Sequence, residues 1–133
     1  MIESILIVDD EEPILETVEA VFEQFGWEVS TAKNAEEALI EFKKNSPTLV
    51  LTDLRLRDNV GGVGVCLAIK EISPLTLVVG MTGFGSAAYT IANLRRKGFD
   101  HVMKKPMPIA ALQTLAFVAV KCRTEWNAFE LFA

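Results

Sequence analysis

Apolar residues in this chain fall in short runs, and each run is closed by a polar residue capable of chemistry. SILIV (4–8) ends at Asp9 and Asp10, TLVLT (48–52) at Asp53 and LTLVVGM (75–81) at Thr82, while a shorter stretch over 101–104 precedes Lys105-Pro106. Runs of this length, rich in Val, Leu and Ile, predict strands buried on both faces of a parallel sheet. The segment from Trp27 to Ala32 differs, because Glu28 and Ser30 alternate with Trp27, Val29 and Thr31. That alternation predicts a strand with one polar face, at or near an edge of the sheet.

Between the strands the period lengthens to that of helices. After Pro13, Ile14, Val18, Val21, Phe22 and Phe25 recur at three- and four-residue spacing until Gly26 stops the pattern. Asn34 with Glu37 predicts a capping box for a helix over 35–44 that turns Ala38, Leu39 and Phe42 inward. Further helices are expected over 63–72, after the glycine-rich loop LRLRDNVGGVG, over 86–97, and from Pro108 onward. Five repeats of strand then helix predict right-handed crossovers and a doubly wound α/β sandwich with five parallel strands. In such a sheet the closing polar residues meet at the rim formed by the carboxyl ends of the strands, where open α/β folds place their ligands.

Composition narrows this picture. With 133 residues, half of them hydrophobic and 23% charged, the chain suffices for one packed core, so one domain is expected over 1–122, with 123–133 as a tail that extends the last helix or folds back. No apolar run approaches the roughly 20 residues that span a bilayer, and Glu3 stands where a signal peptide would be basic, so a cytoplasmic protein without membrane contact is expected. The net charge of -5 argues against direct binding to nucleic acid. Cys66 and Cys122 lie in apolar stretches without metal-type spacing and read as buried thiols, and His101 has no ligand partner at metal spacing.

Three carboxylates gathered with a single lysine repel one another unless a further cation joins them. Mg²⁺ suits such a cluster, since it prefers oxygen ligands and uses one or two carboxylates together with phosphate oxygens. A phosphoryl group would then find a nucleophile in Asp53, neutralising charge in Lys105 and a hydroxyl donor in Thr82. Each residue alone also has an ordinary role: Asp9 and Asp10 as helix caps, Thr82 as a turn residue, Lys105 as a solvated charge. Their joint placement behind successive strands is what points to chemistry.

The motifs ILIVDDEE, TDLRL, MTG and KKP make residues 3–121 resemble the receiver domains of two-component response regulators. The resemblance implies strand order 2-1-3-4-5 and transfer of a phosphoryl group from a phosphohistidine of a sensor histidine kinase or phosphotransfer protein to Asp53. It implies Mg²⁺ bound by Asp10, Asp53 and the backbone carbonyl of Arg55, with Asp9 acting directly or through water, and Thr82 and Lys105 as the family's hydroxyl and lysine. It also implies a cis bond before Pro106, and a protein that catalyses only its own phosphorylation and dephosphorylation. A receiver belonging to a larger regulator or hybrid kinase, or a phosphate-independent binding module of the same fold, is the alternative. A haloacid-dehalogenase-like phosphatase would need a second Asp two residues after its nucleophile, where Glu11 follows Asp9, and an FMN carrier would need a phosphate loop where this chain has four acids.

Some positions depart from the family pattern. Arg57 stands where a proline is usual, Gly62 aligns with the helix-starting glycine only in a loop one residue longer, and Val102 replaces the usual aromatic. Val102 has no ring to rotate, so the switch is expected to run through the loop around Phe84 and Tyr89 or through the last helix. Arg55 and Phe84 cannot orient an attacking water, which predicts slow loss of phosphate. On the last helix, Leu112, Leu115, Ala116 and Ala119 supply an inward stripe while Phe117, Val118 and Val120 point elsewhere. With Trp126, Phe129 and Phe132 in the tail, this surface reads either as self-covering or as an interface for a homodimer or an output partner.

Overall fold

The computed structural model describes residues 3–58, 60–83 and 91–132, with the backbone alone for 91 and for 123–132. The elements run β1 (Ser4–Val8), α1 (Glu12–Gln24), β2 (Glu28–Ala32), α2 (Ala35–Asn45), β3 (Leu49–Asp53), α3 (Gly61–Ile72), β4 (Leu77–Thr82), α4 (Ile91–Arg96), β5 (His101–Lys104) and α5 (Ile109–Phe132). All strands are parallel in the order β2-β1-β3-β4-β5. The expected start of the fourth helix at Ser86, and the side chains of Phe84, Tyr89, Trp126, Phe129 and Phe132, lie outside the described residues.

Alternation along the strands builds two cores. Ile5, Ile7, Leu49, Leu51, Val79 and Met81 face α1 and α5, while Leu6, Val8, Val50 and Val78 face α2, α3 and α4. Every residue of β3 is buried, as the unbroken apolar run requires of a central strand. Each such side chain contributes roughly 1.5–3 kcal/mol relative to exposure. The alternating segment forms β2, at the edge, with only Ala32 fully buried.

Two local differences from the sequence pattern have simple causes. In α1 the inward stripe is Leu15, Val18, Val21 and Phe22, whereas Ile14 and Phe25 only pack against its margin. Leu15 and Phe22 are one heptad apart and share the helix face that Ile14 just misses. At the start of α2 the Asn34 side chain accepts the Glu37 N–H at 2.9 Å, but the Glu37 carboxylate reaches the Lys33 N–H at 2.8 Å instead of that of Asn34. The box therefore closes one residue early. On α5, Leu112, Leu115, Ala116 and Ala119 are buried, Phe117 is 67% exposed, and Val120 packs against the core. No helix among the described residues is long and apolar enough to cross a membrane.

Candidate functional site

Register brings the polar residues together. Val8 lies opposite Thr52, so the next residues along the two strands, Asp9 and Asp53, come level. Asp53 pairs with Met81, which sets Thr82 one step further out, and Thr82 pairs with Lys104, which does the same for Lys105. The Lys105 N–H donates to the Thr82 carbonyl at 2.8 Å, and the Lys105-Pro106 bond is cis.

Its ammonium bridges two carboxylates, at 2.6 Å from Asp9 Oδ2 and 3.1 Å from Asp53 Oδ2. Asp9 is fully buried and also accepts the Glu11 N–H at 3.0 Å, a turn bond ahead of α1, whose N-cap residue is Glu11 and which has no side-chain cap. The other oxygen of Asp53 accepts the Arg55 N–H at 3.1 Å. Asp10 reaches across to the β3–α3 loop, where its Oδ2 accepts the Arg57 N–H at 3.1 Å and lies 3.4 Å from Arg57 Nε. Asp9, Asp10 and Asp53 can each point a carboxylate oxygen within 4.8 Å of the others.

Burial and pairing oppose each other here. Burial pushes the Asp9 carboxyl above its usual range, more than the bonds from Lys105 and the Glu11 N–H pull it down, and the charge on Asp53 adds to the rise. For Lys105 burial acts to lower the ammonium, but its bonds to Asp9 and Asp53 outweigh that and hold it above its ordinary value. The lysine is therefore the secure partner, and the Asp9 carboxylate is the group under stress.

Asp10, Asp53, Arg55, Arg57, Thr82 and Lys105 line a cleft of about 610 Å³. Asp9 is not on its wall, because Lys105 and its own burial place it behind the others. An all-oxygen donor set with three clustered carboxylates, and no His or Cys, matches the ligand preference of a hard divalent cation.

One contributor to this geometry escaped the sequence reading, and a second was read there only as a helix-starting glycine. Asp58 Oδ1 accepts the N–H groups of Val60 (3.1 Å) and Gly61 (2.7 Å), and its Oδ2 accepts that of Ala35 (2.8 Å), so one side chain closes the start of α3 and pins it to the start of α2. Burial works against its charge, but these N–H groups hold the carboxyl below its ordinary value. An Asp shortly before a glycine-rich helix start was the available signal. The second is Gly62, where any Cβ would overlap the Asp53 carbonyl oxygen, while Gly61 takes φ +66°. The close approach, not the turn, is what demands glycine at 62.

The response regulator receiver domain family matches residues 5–116. The chain belongs to that family. Among curated relatives, the receiver is 37% identical over 106 residues to the probable transcriptional regulator ycf27 of Porphyra purpurea, covering 80% of this chain and 43% of that protein. It thus spans less than half the length of that relative. Among solved structures it superposes on the receiver domain of NtrX from Brucella abortus with TM-score 0.81 and 30% identity, covering 88% of this chain and 98% of that one. A CheY-like receiver protein from Methanospirillum hungatei gives TM-score 0.84 at 25% identity over 94% of this chain and 99% of that one.

The expected fold and strand order of the receiver are thus confirmed. Of the other chemically suggestive residues, Cys66 is buried, its thiol donates to the Lys97 carbonyl (3.9 Å), and burial pushes it up to about 11. Cys122 is half-buried and unbridged. His101 sits exposed on β5.

Proposed function

We propose that this receiver takes a phosphoryl group onto Asp53 from the phosphohistidine of a sensor histidine kinase or phosphotransfer protein. Asp10, Asp53 and the backbone carbonyl of Arg55 would hold Mg²⁺, with Asp9 acting on it directly or through water. When bound, the ion supplies positive charge to the carboxylate cluster and to the oxygens of the transferring group. Asp53 supplies the nucleophilic oxygen: its O–P bond forms as the P–N bond of the donor breaks, and the electron pair leaves with the imidazole. Lys105, already bonded to Asp53, meets the charge that arrives on the phosphoryl oxygens, and Thr82 at the adjacent strand end offers its hydroxyl to one of them.

The observation that carries this reading is the single lysine bridging two of three clustered carboxylates, with Asp53 facing the cleft and Asp9 behind it. In the same reading the protein acts catalytically only on its own acyl phosphate and works in the cytoplasm. Its output passes through a contact surface, for which the exposed Phe117 and Val118 of α5 offer a place for a second copy or another partner. Incubation with acetyl phosphate and Mg²⁺, followed by intact mass, tests the assignment. One phosphoryl mass should appear, fail to form when EDTA is present from the start, and be absent from Asp53→Asn. Undiminished phosphorylation of Asp53→Asn overturns it.

A further inference from the structure

Lys105 serves two of the three carboxylates, and the third has its own partner. Asp10 Oδ2 is held twice by one residue, by the backbone N–H of Arg57 at 3.1 Å and by its guanidinium Nε at 3.4 Å. A proline at this position, as the resemblance leads one to expect, would provide neither contact, having no N–H and no charge. The Arg57 side chain is 85% exposed and lies on the wall of the same cleft, so it has open solvent into which to withdraw. Asp10, by contrast, is 15% exposed and has little freedom to turn away.

We propose that Arg57 is a resident counter-ion which a divalent cation must displace from Asp10, so that its side chain sets the cation affinity of the rim. The inference rests on the reading of Asp10 and Asp53 as cation ligands. Two positive charges cannot share one carboxylate oxygen without repulsion, and a guanidinium kept nearby still opposes a doubly charged ion. At a solvent-exposed position such an effect amounts to about three- to tenfold in affinity, and salt screens it.

The experiment is Mg²⁺ titration calorimetry on the full chain and on Arg57→Ala, Arg57→Gln, Arg57→Lys and Asp10→Ala, at low and at high NaCl. Arg57→Ala and Arg57→Gln should bind Mg²⁺ about three- to tenfold more tightly than the parent at low salt. Arg57→Lys should stay within about twofold of the parent, and the advantage of the uncharged variants should shrink at high salt. Both uncharged variants keep the backbone N–H, so a change seen in them belongs to the charge. Arg57→Gln carries the test should Arg57→Ala fold poorly by circular dichroism. Equal or weaker binding by the uncharged variants overturns the proposal, as does an advantage that salt leaves unchanged. If the parent binds no Mg²⁺ and Arg57→Ala does, the proposal stands in its strongest form. If neither binds, it falls together with the cation-ligand reading. Equal affinities, combined with Mg²⁺-dependent phosphorylation on Asp53 and loss of binding in Asp10→Ala, would sink this inference alone.

Discussion

Each end of the sheet carries a lysine bonded to an aspartate, and the two ends are built on opposite principles. At the amino-end rim Lys70 donates to the Thr76 carbonyl (2.7 Å), the Pro74 carbonyl (3.2 Å) and Asp100 Oδ2 (2.7 Å), and the same carboxylate oxygen accepts the Val78 N–H at 2.9 Å. One cation meets one anion, and the three donors of the ammonium are all engaged. At the carboxyl-end rim one part-buried lysine faces two carboxylates, and a third close by is met only by the exposed Arg57. The balanced network ties α3 to β4 and β5. The unbalanced one holds like charges together and gains when more positive charge arrives.

The contrast predicts opposite signs for the same kind of substitution. Asp100→Ala removes an acceptor shared by Lys70 and Val78, and should lower unfolding free energy by about 2 kcal/mol. Urea denaturation measures this, and an unchanged midpoint would remove the structural role from the amino-end rim. Asp53→Asn, measured in EDTA, should instead raise stability by about 1 kcal/mol, because it relieves a like-charge contact. Mg²⁺ should stabilise the parent by mass action and leave this variant nearly unaffected. A destabilised Asp53→Asn would mean that Lys105 already neutralises its surroundings and that the two rims do not differ in kind.

The smallest expected effect sharpens the boundary between the rims. Asp58 belongs to the loop that borders the carboxyl rim, yet it is paired only with backbone N–H groups and is satisfied as fully as the amino-end network. Asp58→Asn should cost roughly 0.5 kcal/mol at neutral pH. Its folded carboxyl titrates below the unfolded one, so its stabilisation is complete above the unfolded value, about 3.9, and is lost as pH falls through the lower folded value. The difference between parent and variant in chemical denaturation should therefore close below about pH 4. A gap that persists there would assign the effect to geometry and not to charge.

The sheet was legible in the sequence because its strands are unbroken apolar runs, and the edge position of β2 was legible because its polar face interrupts one. The rim was legible because register in a parallel sheet places strand ends side by side, so that Asp9, Asp53, Thr82 and Lys105 needed only their strands to be recognised. The partition within the rim was not. Which carboxylate hides behind Lys105 depends on burial, and which loop residue meets Asp10 depends on the path of residues 54–61, neither of which has a periodic signature. Asp58 escaped for a related reason, since its bond to Ala35 joins positions separated by 23 residues and by the whole of β3. Leu15 was passed over because Ile14 offers the same hydrophobicity one position away, and only packing against the sheet decides between neighbours.

Gly62 bears on how freely this surface can vary. The loop before it is fastened at one end by the Leu54 N–H on the Met81 carbonyl, 3.0 Å, and at the other by the Gly62 N–H on the Leu54 carbonyl, 3.3 Å. Between those anchors Arg55 and Arg57 project outward and contribute little to the core. A library randomised at these two positions would therefore yield mostly folded proteins, differing in what they present around the cleft. At 62 the same library would find a single tolerated letter, since even a methyl group would drive against the Asp53 carbonyl whatever its polarity. The chain thus sets a position that takes no side chain a few residues after two that take almost any, which lets the surroundings of Asp53 diversify while its backbone stays where it is.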